Sequence, residues 1–164
     1  MDPLDATCAS EPARFLVDAM LGRLARWLRL LGFDAAYDPS LTDAELARRA
    51  YREGRIVLTR DRSLPEEWRL PRVLVLRSEI LGEQLRELGR HFPLPGEGLR
   101  FSRCSRCNVP LVDVPAESVA EQLPDSILAR RPSLRRCPAC LRIYWEGGHV
   151  ERIRRALDRI RDRP

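Results

Sequence analysis

Along the first hundred residues the apolar positions switch between two periods. Phe15-Leu16-Val17 is a short continuous apolar run, after which Leu21, Leu24, Ala25, Leu28 and Leu31 recur three and four residues apart until Gly32. The pattern predicts a buried strand followed by an amphipathic helix that ends at the glycine. Phe33 to Tyr37 predicts a second strand. Thr42-Asp43-Ala44-Glu45 is a capping box opening a helix that buries Leu46, Ala47, Ala50 and Tyr51 and stops at Gly54. Ile56-Val57-Leu58-Thr59 and Val73-Leu74-Val75-Leu76 are continuous apolar runs, as strands covered on both faces require. A last helix is expected from about Ser78 to His91, through Ile80, Leu81, Leu85 and Leu88. Strands alternating with helices imply a parallel sheet with right-handed crossovers, a three-layer α/β domain of about 90 residues.

Acids punctuate the expected carboxyl ends of these strands, where the crevice of an open α/β sheet lies. Asp18 follows the first strand, Asp38 the second and Asp61 the third, and Asp43 begins the second helix. The front of the chain has no glycine-rich phosphate loop, no nucleophile elbow and no histidine before His91, so carboxylates are its only catalytic equipment. Clustered carboxylates repel one another unless a cation sits among them, and Mg²⁺ or Mn²⁺ suits that role on a phosphodiester. Plainer readings are available for three of the four. Asp61 could be a turn former, Asp43 a helix-start residue and Asp38 the flank of a proline turn. Asp18, closing a buried strand, needs a partner.

Beyond residue 97 the chemistry changes. Cys104 and Cys107 form one C-x-x-C, Cys137 and Cys140 another, with 29 residues between them, and Cys8 stands alone near the start. Two such knuckles among short strands point to a closed Cys₄ zinc site carrying an insertion, rather than a one-pair redox motif. Four thiolates leave no open position for water, so this zinc is expected to be structural. Val109 to Val114 and Leu141 to Trp145 read as the ribbon's strands. The insertion from Val114 to Arg135 is either a clamp on RNA or packing against the front domain. His149, after a Gly-Gly turn, reads as a surface or RNA-contacting group rather than a fifth ligand.

The whole chain has 164 residues, is 44% hydrophobic and 32% charged, and has a formal net charge of +5. The average conceals a polarity: residues 1–97 hold 15 Arg against 16 Asp and Glu, residues 98–164 hold 14 Arg against 8. The basic back therefore suggests affinity for a polyanion, although solvated surface arginines, used in place of lysine throughout, would give the same count. Arg23, Arg26 and Arg29 step along the first helix opposite its leucines. A solvated face is the commoner cause of such a stripe, but Arg23 and Arg26 follow Asp18 closely enough to guide phosphates, as do Arg60 and Arg62 beside Asp61. No apolar run is long enough for a membrane span and no signal core is seen, so a cytoplasmic protein is expected.

Taken together, the stretch Phe15-Leu16-Val17-Asp18-Ala19-Met20-Leu21-Gly22-Arg23-Leu24-Ala25-Arg26-Trp27-Leu28-Arg29, the run Ile56-Val57-Leu58-Thr59-Arg60-Asp61 and the two cysteine pairs followed by Tyr144-Trp145-x-Gly147-x-His149 closely resemble the Mut-seven C-terminal RNase family. The resemblance covers roughly residues 14–157. It implies a PIN-like nuclease domain at 14–97 after a flexible leader at 1–13, then a zinc ribbon with a C-terminal helix at 98–164. It also implies a metal-dependent RNase in which Asp18 and Asp61 hold Mg²⁺ or Mn²⁺. Asp43 matches the helix-start acid of related domains, Asp38 is a further candidate, and Glu79 is the nearest source of a fourth acid. Arg23, Arg26, Arg60, Arg103, Arg106 and His149 are the expected RNA contacts. The competing expectation is a non-catalytic RNA- or ribosome-binding adaptor whose acids are remnants.

Overall fold

The computed structural model describes residues 13–93, 101–130 and 132–145. The leader with Cys8, His149 and the expected C-terminal helix lie outside them. Chain packing separates two compact units, Met1–Asn108 and Val109–Pro164. The first cysteine pair thus belongs to the same unit as the α/β elements, whereas the sequence reading placed the boundary between residues 97 and 98.

In the first unit four parallel strands form one sheet in the order β2-β1-β3-β4: β1 is Arg14–Val17, β2 Asp34–Tyr37, β3 Ile56–Thr59 and β4 Val73–Val75. Helix α1 (Gly22–Leu30) links β1 to β2, and α2 (Asp43–Glu53) carries the chain back across β1 to β3. That reversal puts successive right-handed crossovers on opposite faces of the sheet. Leu16 and Val57 pack with Leu46, Ala47 and Ala50 of α2 on one face. Phe15, one residue away and therefore on the other face, meets Phe33 and Phe92 edge-to-face at 5.3 and 5.2 Å. Every residue of β3 is buried, so its continuous apolar run is the signature of two covered faces.

The capping box on α2 forms as expected, and Gly54 closes that helix in the left-handed conformation at φ 62°. Three expectations shift. The last helix, α4 (Leu81–His91), starts three residues later than Ser78, because Ser78 and Ile80 are held in a turn: Ser78 Oγ accepts the Ile80 N–H. Tyr51 is not on the buried face of α2. It is largely exposed and its hydroxyl donates to the Arg69 carbonyl. A short helix α3 (Leu64–Glu67), with a proline and two acids in its first turn, sits between β3 and β4.

The amino ends of the strands carry a polar clasp. Buried Arg55 donates through Nη1 to Asp34 at 2.7 Å and to the Phe15 carbonyl at 3.1 Å, and through Nε to Glu53 at 2.6 Å. Asn108 donates to the same Asp34 at 2.7 Å while its side-chain oxygen accepts the Ala35 N–H at 3.0 Å. The turn containing Cys104 and Cys107 is therefore anchored on β2.

The second unit has its own three-stranded antiparallel sheet, β5 (Val112–Asp113), β6 (Leu134–Arg136) and β7 (Ile143–Trp145), in that order. Within this unit the insertion has a packing role of its own. Val119 and Leu123 from its 3-10 turns join Leu134 in a small core with Ile127, Leu128 and Ile143 around it, so the insertion supplies the ribbon with an apolar interior.

Burial alone would raise the Asp34 pKa, but the bonds from Arg55 and Asn108 outweigh it and hold the carboxyl below its ordinary value. Because the folded value is the lower one, this contribution is complete above the unfolded value near ~3.9 and drains as pH falls through the folded one. Asp34→Asn should therefore show a shallower loss of stability below about pH 4 than wild type, measured as urea midpoints across the acid range.

Candidate active site and metal centre

The point where the sheet reverses its winding lies between β1 and β3, and the residues just beyond their carboxyl ends build the candidate site. Asp18 directly follows β1, and its N–H still pairs with the Leu58 carbonyl at 3.0 Å. Asp18 as a whole is 9% exposed. The partner that such a group needs is Thr59, whose fully buried hydroxyl donates to Asp18 Oδ2 at 2.6 Å. The other carboxylate oxygen accepts from the Ala19 N–H and caps the 3-10 turn Ala19–Leu21 that leads into α1. At the head of α1, Gly22 allows Tyr37 to lie against the backbone: a Cβ there would fall 2.6 Å from the Tyr37 hydroxyl, which donates to the Ala19 carbonyl at 3.0 Å.

Thr59 does a second job. Its Oγ1 accepts the Asp61 N–H at 3.0 Å, so one hydroxyl fixes both the Asp18 carboxylate and the backbone that carries Asp61. Asp61 Oδ1 in turn accepts the N–H and hydroxyl of Ser63, both at 2.8 Å. Asp38 is built in the same way: its Oδ1 accepts the Ser40 N–H at 3.0 Å and the Ser40 hydroxyl at 2.6 Å. These serine bonds hold both carboxyls below their ordinary pKa, so each is ionised throughout the neutral range.

Hydrogen bonding thus links Asp18 to the segment of Asp61. No such link joins Asp38 or Asp43 to them among the described residues. Asp43 is the exposed first residue of α2, and the capping bonds of that helix are made by Thr42 and Glu45. Glu79 is an exposed surface residue paired with Arg60. That ion pair occupies a guanidinium expected to face phosphate. Arg23 and Arg26 are exposed on α1, whereas Arg29 is buried and donates from Nε to the Ala35 carbonyl at 2.8 Å and from Nη1 to the Arg106 carbonyl at 2.7 Å. The stripe is therefore only partly a solvated face. The signal was present in the helical spacing, since Arg29 lies four residues after buried Ala25 and beside buried Leu28.

Cys104, Cys107, Cys137 and Cys140 bring their sulfurs within 4.8 Å of one another, the group of potential metal ligands found among the described residues. A zinc ion at about 2.3 Å from four sulfurs needs edges near 3.8 Å, so the donor set and its spacing fit a closed tetrahedral site. None of the four is in a disulfide. Each pair makes the same turn. Cys107 N–H points to Cys104 Sγ at 3.3 Å and Asn108 N–H bonds the Cys104 carbonyl at 2.9 Å; Cys140 N–H points to Cys137 Sγ at 3.5 Å and Leu141 N–H bonds the Cys137 carbonyl at 2.9 Å. The residue closing each turn is left-handed, Asn108 at φ 64° and Leu141 at φ 60°. Asparagine adopts that conformation readily, whereas leucine does so at a cost. Four clustered cysteines can hold a metal such as zinc.

The family model described as the Mut7-C RNAse domain matches residues 13–157. Neither a curated protein nor a solved structure matches the chain.

Two substitutions check this geometry. Thr59→Val removes the only side-chain donor described for Asp18 and should destabilise the protein by about 1.5–3 kcal/mol in urea unfolding, with Thr59→Ser much closer to wild type. Leu141→Gly relieves the left-handed strain at an exposed position and should stabilise the metal-loaded protein by about 0.5–2 kcal/mol, read as a raised melting temperature.

Proposed function

The chain belongs to the Mut7-C RNAse domain family, and from that premise we propose that it is a metal-dependent ribonuclease whose reaction takes place at the carboxyl ends of β1 and β3. The observation that carries this reading is the buried hydroxyl of Thr59, which positions Asp18 and the Asp61 backbone together where the sheet reverses. A nearly buried carboxylate at the mouth of a sheet is a functional-site candidate, and donors to both of its oxygens fix its direction before a ligand arrives.

In this reading Asp18 and Asp61 would hold Mg²⁺ or Mn²⁺, with Asp43 and Asp38 as further candidate ligands. The ion supplies an activated water and neutralises charge on the scissile phosphodiester. Thr59 keeps Asp18 in one orientation, and Ser63 keeps Asp61 ionised. Arg23 and Arg26, exposed on the helix that follows Asp18, attract the RNA phosphates without reading sequence. Arg60 joins them by exchanging Glu79 for a phosphate oxygen. The arginine-rich residues 98–164, with Arg103, Arg106 and His149, hold the rest of the strand, and the cysteines keep that segment folded around zinc. Among the described residues no helix is long and apolar enough to cross a membrane.

A second reading has one observation in its favour: among the described residues no three carboxylates converge as the four cysteines do. An RNA- or ribosome-binding adaptor would use the same basic surface and show salt-sensitive binding without turnover.

Labelled single-stranded RNA incubated with Mn²⁺ or Mg²⁺ separates the two. Cleavage is expected, with Asp18→Asn and Asp61→Asn each lowering its rate by roughly 10²-fold or more while filter binding persists. Cleavage unchanged in both variants would refute the assigned site, and binding without cleavage by wild type would favour the adaptor.

A further inference from the structure

Arg29 is a cation placed where cations are expensive. It lies in the last turn of α1, 6% exposed, and its described acceptors are all uncharged carbonyls: Ala35 at 2.8 Å, Arg106 at 2.7 Å and Ser105 at 3.3 Å. Ser105 and Arg106 are the two residues between Cys104 and Cys107. One guanidinium therefore spans from β2 to the middle of the turn that presents two sulfurs, and Asn108 pins the end of that turn to Asp34 and Ala35. A buried guanidinium needs a counter-charge. Burial lowers the Arg29 pKa, with the neighbouring Cys104 and Cys107 acting against it, and four thiolates around a divalent ion would leave a net charge of −2 to supply that counter-charge.

We propose that Arg29 is a positioning residue of the cysteine metal centre: its guanidinium fixes the Cys104–Cys107 turn through the Ser105 and Arg106 carbonyls and balances the charge of the metal-bound thiolates. The assignment rests on the reading of the cysteines as a zinc site and is independent of the nuclease reading. It also joins metal binding to the α/β sheet, because the same side chain holds the Ala35 carbonyl of β2. Lysine cannot replace it, since a single ammonium has no planar fork with which to reach both the strand and the turn.

The test is zinc affinity of the full-length protein by competition with a chromogenic chelator, together with the thiolate-to-metal and ligand-field absorption of the cobalt-substituted form. Arg29→Met and Arg29→Lys should each weaken zinc by about 10–100-fold and alter the cobalt spectrum. Arg26→Met, on the exposed side of the same helix, should leave both unchanged. Wild type that binds neither zinc nor cobalt would overturn the zinc reading and this assignment together. Wild type that binds tightly, with either folded Arg29 variant within twofold of it, would overturn the assignment alone. If Arg29→Met does not fold, Arg29→Lys decides. Failure of both to fold with zinc present would make Arg29 a determinant of the sheet itself and overturn its narrower role.

Discussion

The first unit is organised by the burial of β1, which is hydrogen-bonded on both edges and covered on both faces. Its buried residues, Phe15 to Val17, are all apolar, since an unpaired polar group there would cost several kcal/mol. Polar chemistry is thereby driven to the two ends of the sheet. At the carboxyl end it takes the form of Asp18, Thr59 and Asp61. At the amino end it takes the form of Asp34, Arg55, Asn108 and Arg29. Strands of four residues rising about 3.3 Å each keep these two ends on the order of 10 Å apart.

That separation bears on how the proposed reaction would hold RNA. The first cysteine turn docks at the amino end, through Arg29 and Asn108, so Arg103 and Arg106 stand at the pole opposite the carboxylates. Arg103 also donates inward to the Asn108 carbonyl at 2.8 Å. In the proposed reaction, contacts near the scissile bond fall to Arg23 and Arg26, and contacts at the first cysteine turn fall to a part of the strand some distance away.

Most of the α/β unit was legible because its elements obey simple periods: continuous apolar runs for β1, β3 and β4, a three-to-four spacing for α1, and a capping box for α2. The placement of Asp18, Asp38 and Asp61 at strand ends followed from those boundaries. Thr59 was not legible as a site residue, because a threonine at the end of a β-branched run looks like any strand former until the register sets it beside Asp18. Arg29 was legible only in its spacing from Ala25, because composition hides it. In a chain whose basic residues are all arginine, a buried structural guanidinium cannot be told from a solvated one by counting. Arg55 and Arg29 together show how much of the formal positive charge is spent inside the fold rather than offered to a polyanion. The ribbon's core escaped for a different reason: Val119 and Leu123 flank a 3-10 turn while Leu134 opens a strand, so no single period joins the three.

Asp38 and Asp61 each close a turn onto a serine two residues on, and the two loops that leave β2 and β3 are in this respect copies. A carboxylate clamped in that way has lost its rotational freedom before any ligand arrives. The entropy of ordering those oxygens is charged to folding, not to binding. In the proposed reaction the mouth of the sheet would meet its ion with the Asp61 oxygens already ordered.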